Sequence, residues 1–422
     1  MHILLFVLYC GLCGFGIGKL PFFKKSGIRP AFLLTLFGLH VLVGCLHNMI
    51  AWRFYPEHGD IWFYFQFSFL ERHRLLHDTH LFLYYNSSWD AISHNAITFI
   101  QIILNWLSFD DMYVNTLLFS FPVFLGNTAL YRVYRRQFPG SPLSAATAFL
   151  LPSTLFWTSC IHREAVLFAL LGLLLYWLDK AVTRQPSTRD HIPTRPPPTT
   201  GTHPLKPRSP LLYAAFAFLA IVFFRFAVAI ILIPALLTWL LTLRPPTRRQ
   251  SLIIAGIGTA VIITLILLPT RLLNMLAAQQ HSFMILQGNS KLYLPALTNS
   301  WASLLHAIPA ALRNGLFEPL PGSGGQRIYQ LFSVELLCIW AIAAAALVKR
   351  TIPTPFSRCC ILFALIGLFQ IGLIIPFAGA IIRYRSIYLP FLLAPCLFSL
   401  RNWRPFQTVN AWFSRTFLIN YE

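Results

Sequence analysis

Two short stretches of this chain bring together residue types that could do chemistry. The first is Tyr55-Pro56-Glu57-His58-Gly59-Asp60-Ile61-Trp62-Phe63-Tyr64, directly after the apolar run from Ala31 to Ala51. It delivers a carboxylate, Asp60, to the end of a membrane-length segment and surrounds it with aromatic rings. Trp and Tyr sit well at headgroup depth, whereas an ionised Asp must stay near water or a partner. The second is His162-Arg163-Glu164, held between two apolar segments with almost no loop. Charges placed so tightly at a helix junction are costly unless paired or functional. The plainer alternatives are a loop that merely restarts after a helix at Asp60, and an Arg163–Glu164 pair that only caps a turn. Three further arginines, Arg225, Arg383 and Arg385, fall in or beside apolar segments. An Arg fork recognises phosphate bidentately, and a carboxylate can take a proton from an attacking hydroxyl. Together these groups suit a lipid that carries a phosphate and a second reacting group.

The elements that must position them are membrane helices. The 422 residues are 56% hydrophobic and only 11% charged, with 38 Phe and a mean hydropathy of +0.63. A soluble chain carries roughly twice that charged fraction. Apolar runs near the ~20 residues needed to span a bilayer recur along the sequence. The expected fold class is therefore all-α, a polytopic transmembrane bundle of about 11 crossings forming one membrane-embedded domain over residues 1–422, with interfacial helices in its outer loops.

The net charge of +20 raises the question of nucleic acid, and its distribution excludes it. Six clusters (Lys19 to Arg29, Arg132 to Arg136, Lys180 to Arg208, Arg244 to Arg249, Lys349 to Arg358, Arg401 to Arg415) hold 22 of the 33 Lys and Arg. With all of them on the cytoplasmic side, the positive-inside rule is satisfied throughout. The eight cysteines do not form a framework: Cys10-Gly-Leu-Cys13 has redox spacing but lies in an apolar run, where thiols are inert.

In chain order, His2 to Gly18 precedes Lys19, Lys24 and Lys25, so its N-terminus is expected outside, and its glycines (Gly11, Gly14, Gly18) would permit close helix packing. Ala31 to Ala51 returns outward. Residues 53–111 form an outer loop with surface helices over Ile61 to Leu70 and Ala96 to Phe109. Met112 to Tyr131, Pro142 to Thr158 and Ala165 to Leu178 cross next. Residues 184–210 contain eight prolines and read as a solvated cytoplasmic linker. Leu211 to Leu243 is too long for one crossing; it is either a hairpin turning at Phe223 to Phe226 or one tilted helix with Arg225 packed inside. Leu252 to Leu268 crosses outward, and residues 271–327 form a second outer loop with an amphipathic run from Trp301 to Leu316. Ile328 to Val348, Cys359 to Pro376 and Ile387 to Leu400 complete the bundle, leaving a basic tail inside. Glu71, His73, His77, Asp78 and His80 lack the HExxH pattern of a zinc site and read as an interfacial helix surface. Asn86-Ser87-Ser88 is a glycosylation sequon in form only.

The order of these features resembles the integral-membrane glycosyltransferases of the C superfamily. These lipid-phosphosugar-dependent enzymes include protein O-mannosyltransferases and lipid A aminoarabinose transferases. Gly59-Asp60 stands where that superfamily carries its first-loop acidic motif. Glu164 stands at its second outer acidic position, after a Pro-containing helix end, and Arg383-Tyr384 with Pro390 opens a late helix. The likeness covers about the first 180 residues and the last 45. Ile61 replaces the usual acidic neighbour of Asp60, and one extra helix precedes the usual first one. The resemblance implies a glycosyltransferase that moves a sugar from a polyprenyl-phosphate donor to a lipid, glycan or protein acceptor. Asp60 and Glu164 would be catalytic; His162, Arg163, Arg225, Arg383 and Arg385 would bind substrate. No organic cofactor is implied, and a divalent metal ion is a candidate at Asp60 and Glu164. The partners would be the polyprenyl-phosphate sugar and membrane lipids. The location would be a bacterial inner (plasma) membrane, N-terminus outside and C-terminus in the cytoplasm. A polymerase or ligase of lipid-linked glycans, and a non-enzymatic transporter or flippase of such lipids, are the competing readings. The topology has a direct check: a single Cys at Pro197 should react with impermeant reagents only from the cytoplasmic side, and labelling only from outside would overturn the map.

Overall fold

The computed structural model describes residues 1–54, 59–183, 210–243, 269–288, 290–322, 327–349 and 354–419. The Pro-rich stretch and the crossing expected over Leu252 to Leu268 lie outside the described residues. The helices are α1 (His2–Lys19), α2 (Pro21–Lys24), α3 (Pro30–Phe54), α4 (Gly59–His77), α5 (Thr79–Tyr85), α6 (Trp89–Ser108), α7 (Met112–Gln137), α8 (Pro142–Leu150) and α9 (Pro152–Thr158). They continue as α10 (Arg163–Thr183), α11 (Pro210–Thr242), α12 (Pro269–Met284), α13 (Trp301–Leu316), α14 (Arg327–Val348), α15 (Pro355–Ile374), α16 (Ala378–Arg385), α17 (Leu389–Ser399) and α18 (Arg404–Phe417). Among the described residues there is no strand, only isolated bridges such as Lys291 with Phe377. Among the described residues, six helices are long and apolar enough to cross a membrane, and α16 with α17, bent by 57°, could add a seventh. Leu, Ile, Val and Phe on α1, α3, α11 and α14 stand exposed on their outer faces. A bundle that turns such side chains outward has lipid as its solvent. The chain is a helical membrane protein.

The centre of the bundle is α7, which touches α1, α3, α6, α8 and α10. Its contact with α10 is backbone-close because both helices carry small residues at the crossing. A Cβ on Gly172 would stand 2.2 Å from the Gly126 carbonyl oxygen, and one on Gly126 would meet Ala169. Packing in lipid gains little from hydrophobicity, so this interlock of small residues is what holds the pair. The glycines of α1 make no such backbone contact among the described residues: a Cβ on Gly14 would meet the Leu34 side chain at 3.6 Å and one on Gly16 the Phe121 ring at 3.3 Å. Gly11 and Gly18 have nothing within 4 Å among the described residues, because α1 lies at the periphery. Helix α13, expected as a surface element, instead packs its small face onto α15: a Cβ on Gly315 would lie 2.0 Å from the Leu368 carbonyl oxygen.

The long segment after the linker is a hairpin. Helix α11 is broken at Arg225, whose φ of −161° and ψ of 89° are not helical. Tyr213 stacks on Trp177, two residues from Asp179, which pairs with Arg136 near the end of α7. Trp239 packs on Phe356, which also touches Tyr134 and Phe138 at that same end. A straight helix of this length would separate Tyr213 and Trp239 by about 40 Å. Both ends of α11 therefore return to one end of the bundle, and Arg225 stands at the other.

That division orders the charges. Arg135 donates to the Ser26 carbonyl, Arg29 to the carbonyls of Arg415 and Leu418, and Lys349 lies over the Trp403 ring. The described basic clusters thus gather at one end, away from Asp60, Glu164, Arg225 and Arg383. The small-residue crossing is testable by substitution. Gly172→Leu should lower stability by about 1–3 kcal/mol or more through overpacking, read as thermal unfolding in detergent, whereas Gly11→Leu should be tolerated. Equal tolerance of both would contradict the packing.

Candidate active site

Each charged group reaches the far end of the bundle for a local reason. Gly59, at a φ of 70°, turns the chain into α4, and Asp60 occupies the first turn, where the helix N-terminus favours an anion. The α4 start is fixed to α3 by a hydrogen bond from Trp62 Nε1 to the Asn48 carbonyl, 3.1 Å, with Ile61 and Tyr64 buried beneath. Glu164 occupies the first turn of α10, and Arg225 sits at the fold of the hairpin. Ser93 of α6 donates to the Phe223 carbonyl, 2.7 Å, next to that break. Arg383 lies on the short helix α16, whose start is strapped by backbone bonds from Ala378 to Ser290 and from Leu292 to Pro376. Gln280 ties the same strap to α15 through the Leu373 carbonyl, 2.9 Å.

The four groups form a continuous chain of ion pairs. Arg383 Nη1 donates to Asp60 Oδ2, and its Nε stands 3.1 Å from Glu164 Oε2. Arg225 Nη1 lies 3.5 Å from Glu164 Oε1. Glu164 is fully buried at the heart of the chain, while the Asp60 side chain at one end is 54% exposed. The Tyr384 ring lies beneath both guanidiniums, 4.0 Å from Arg225 Cζ and 5.3 Å from Arg383 Cζ. Such faces attract cations, most strongly where water is excluded. A cleft beside Arg225, lined by Val228, Gln279, Phe283, Gln370 and Tyr388, opens between α11, α12 and α15.

The protein crowded around Asp60 raises its pKa, but the Arg383 guanidinium more than offsets this and holds it below the usual carboxylate range. Asp60 is therefore ionised at neutral pH. Its pairing contributes stability above the ordinary Asp value of about 4 and loses it as pH falls through the depressed value. His162, in the turn before α10, is held down to about 4 by burial and by Arg383, so it is neutral near pH 7.

Of the seven residues singled out in the sequence, the structure joins Asp60, Glu164, Arg225 and Arg383 directly. His162 is buried beside them, and Arg163 donates to the His94 carbonyl at the rim of the cluster. Arg385 goes elsewhere: it is buried and donates to the Glu318 carbonyl, 2.7 Å, pinning α16 to the loop after α13. The candidate metal position between Asp60 and Glu164 is filled by Arg383 itself. A cation there would have to displace a guanidinium.

Sequence reasoning passed over several participants. Tyr384 was read only as part of the Arg383-Tyr384 pair, and its ring's place beneath two guanidiniums had no signal in the sequence. His47 and Cys160 carried none beyond being polar in apolar runs. Glu71 is fully buried, pairs with Arg74 and accepts from Asn86 Nδ2 at 3.0 Å, so it anchors α4 to α5. That bond also buries the sequon asparagine. His73 and His77 do lie on an exposed face, their rings 4.7 Å apart. Compared with models of known protein families, with characterised proteins and with solved structures, the chain matches none.

The burial of Glu164 makes a separable prediction. Glu164→Gln leaves two guanidiniums facing a neutral amide and should cost about 3–5 kcal/mol, as broken buried pairs do. Asp60→Asn, at an exposed pair, should cost about 0–1 kcal/mol. Unfolding in detergent distinguishes them, and similar small losses for both would contradict the pairing.

Proposed function

We propose that the protein is a membrane glycosyltransferase that moves a sugar from a polyprenyl-phosphate donor to a hydroxyl-bearing acceptor. The observation that carries this reading is the chain Asp60–Arg383–Glu164–Arg225, half-exposed at its Asp60 end and buried at Glu164. In the proposed step the acceptor oxygen bonds to the anomeric carbon, and its proton passes to Asp60. The bond from that carbon to the phosphate oxygen breaks, and the lipid phosphate leaves with the electron pair. Arg383 and Arg225 meet the charge on the leaving phosphate. Inversion at a sugar needs a carboxylate on the attacking side, and a placed base is worth about 10²–10⁴ in rate.

The apo pairing makes Asp60 a weak base, since Arg383 lowers its proton affinity. Arrival of the donor phosphate changes that. Phosphate competes for the Arg383 fork, and a guanidinium drawn toward it relaxes its hold on Asp60. The base is then strengthened when the donor is bound. Glu164 stays between the two arginines and keeps them aligned. The reading carries with it a topology of about 11 crossings in a bacterial inner membrane, with the N-terminus outside, the C-terminus inside and the site outside.

One observation favours a second reading. Helix α11 breaks at Arg225, and discontinuous helices with charged groups at the break mark transporters of anionic substrates. A transporter or flippase would need Arg225 and Arg383 but no base. A polymerase or ligase of lipid-linked glycans would likewise use the arginines without an Asp60–Glu164 pair. Asp60→Asn separates these cases. The purified variant should lose transfer by about 10²-fold or more while binding donor lipid more tightly than wild type. Near-normal transfer in Asp60→Asn would remove Asp60 as the base.

A further inference from the structure

A second cluster lies beside the ion pairs, takes no part in them and owes nothing to the glycosyltransfer reading. His47 of α3 meets Cys160 and His162 of the turn between α9 and α10, and all three are buried. One ligand atom from each falls within 4.8 Å of the others. The approach is possible because of Gly44, one turn before His47: a Cβ there would stand 2.3 Å from the Ser159 carbonyl oxygen. We propose that His47, Cys160 and His162 form a binding site for a thiolate-coordinated transition-metal ion of the Zn²⁺/Cu⁺ class.

Three observations support it. First, His47 Nδ1 lies 3.2 Å from the Phe156 carbonyl. That acceptor selects the tautomer with hydrogen on Nδ1, so Nε2 is the nitrogen through which this ring would coordinate a metal. The backbone-tethered imidazole is the usual outer support of a metal-bound histidine. Second, His162 Nδ1 is buried with no hydrogen-bond partner among the described residues. An orphan of this kind is costly in a folded interior, and a metal or a metal-bound water removes the cost. Third, the Cys160 thiol makes only weak contacts, 3.4 Å to the Trp157 carbonyl and 3.8 Å to that of Phe156.

The donor set decides the ion. One sulfur and two imidazole nitrogens suit Zn²⁺ or Cu⁺, whereas Mg²⁺ and Ca²⁺ need oxygen. Bond lengths of about 2.0–2.1 Å to nitrogen and 2.3 Å to sulfur would draw the ligand atoms about 1 Å closer. Turning the Cys160 side chain and tilting the His162 ring can supply that. Once bound, the ion would clamp α3 to the turn that immediately precedes Arg163 and Glu164. Its role would be to position that turn.

The test is metal analysis of the full-length protein purified in detergent without chelator, then reloaded separately with Zn²⁺, Cu⁺ and Co²⁺. Wild type should retain stoichiometric Zn²⁺ or Cu⁺ after desalting, and the two loadings tell which. The Co²⁺ form should show thiolate-to-metal charge-transfer absorption. Cys160→Ser and His162→Ala should each lose most of the metal, and Cys160→Ser should lose the absorption while remaining folded by circular dichroism. Asp60→Asn should keep both. The proposal is overturned if wild type holds no metal after reloading, if Cys160→Ser retains it, or if the metal follows Asp60 instead. Each of these outcomes is independent of whether the protein transfers sugar.

Discussion

A fully buried carboxylate, Glu164, held between two guanidiniums, is the constraint on which the far end of this bundle depends. Burying any one of these charges alone would be prohibitive, so Glu164, Arg383 and Arg225 have to arrive together. Each comes from a different part of the chain: the start of α10, the short helix α16 and the fold of the α11 hairpin. The pairing therefore dictates where three otherwise independent elements end. It also explains why α11 breaks where it does. A continuous helix would carry Arg225 past its partner, and the break lets the chain reverse with the guanidinium beside Glu164.

Packing supplies what the charges cannot. Small residues bring α7 against α10 and α13 against α15 closely enough for backbone contact, and Gly44 does the same for α3 and the turn before α10. These contacts leave no room for a single added methyl group at the crossings, which sets how closely the helices approach. The ion pairs then select among the arrangements that packing allows. Asp60 differs from the rest: it belongs to the layer of α4 to α6 that covers this end, and it is the most exposed charged member, with Arg225 partly exposed at the other end of the chain of ion pairs.

Much of this was legible in the sequence, and the reason is scarcity. In a chain with 11% charged residues, carboxylates and arginines inside apolar runs are conspicuous, and Asp60, Glu164, Arg225 and Arg383 were found that way. Length alone showed that Leu211 to Leu243 exceeds one crossing, but it left a hairpin and a single tilted helix open; the break at Arg225 decides for the hairpin. What was hidden depends on which face of a helix packs. Arg383 and Arg385 look equivalent, yet two residues apart on a helix means about 200° around its axis, and one enters the site while the other pins a loop. Helix α13 reads as a surface element because its moment is strong, although Ala307, Ala311 and Gly315 form a packing seam. Glu71 was masked by its histidine-rich neighbours. His47 and Cys160 resemble ordinary core residues until the turn carrying His162 is brought to them.

The central claim is that Asp60 and a substrate phosphate compete for the same guanidinium. Binding of a polyprenyl phosphate to purified wild type and to Asp60→Asn, compared at one pH and one salt concentration, tests this most directly. Removing the carboxylate frees Arg383, so the variant should bind the phosphate more tightly than wild type, and the advantage should vanish when Arg383 is also replaced by Ala. Equal or weaker binding by Asp60→Asn would contradict the account.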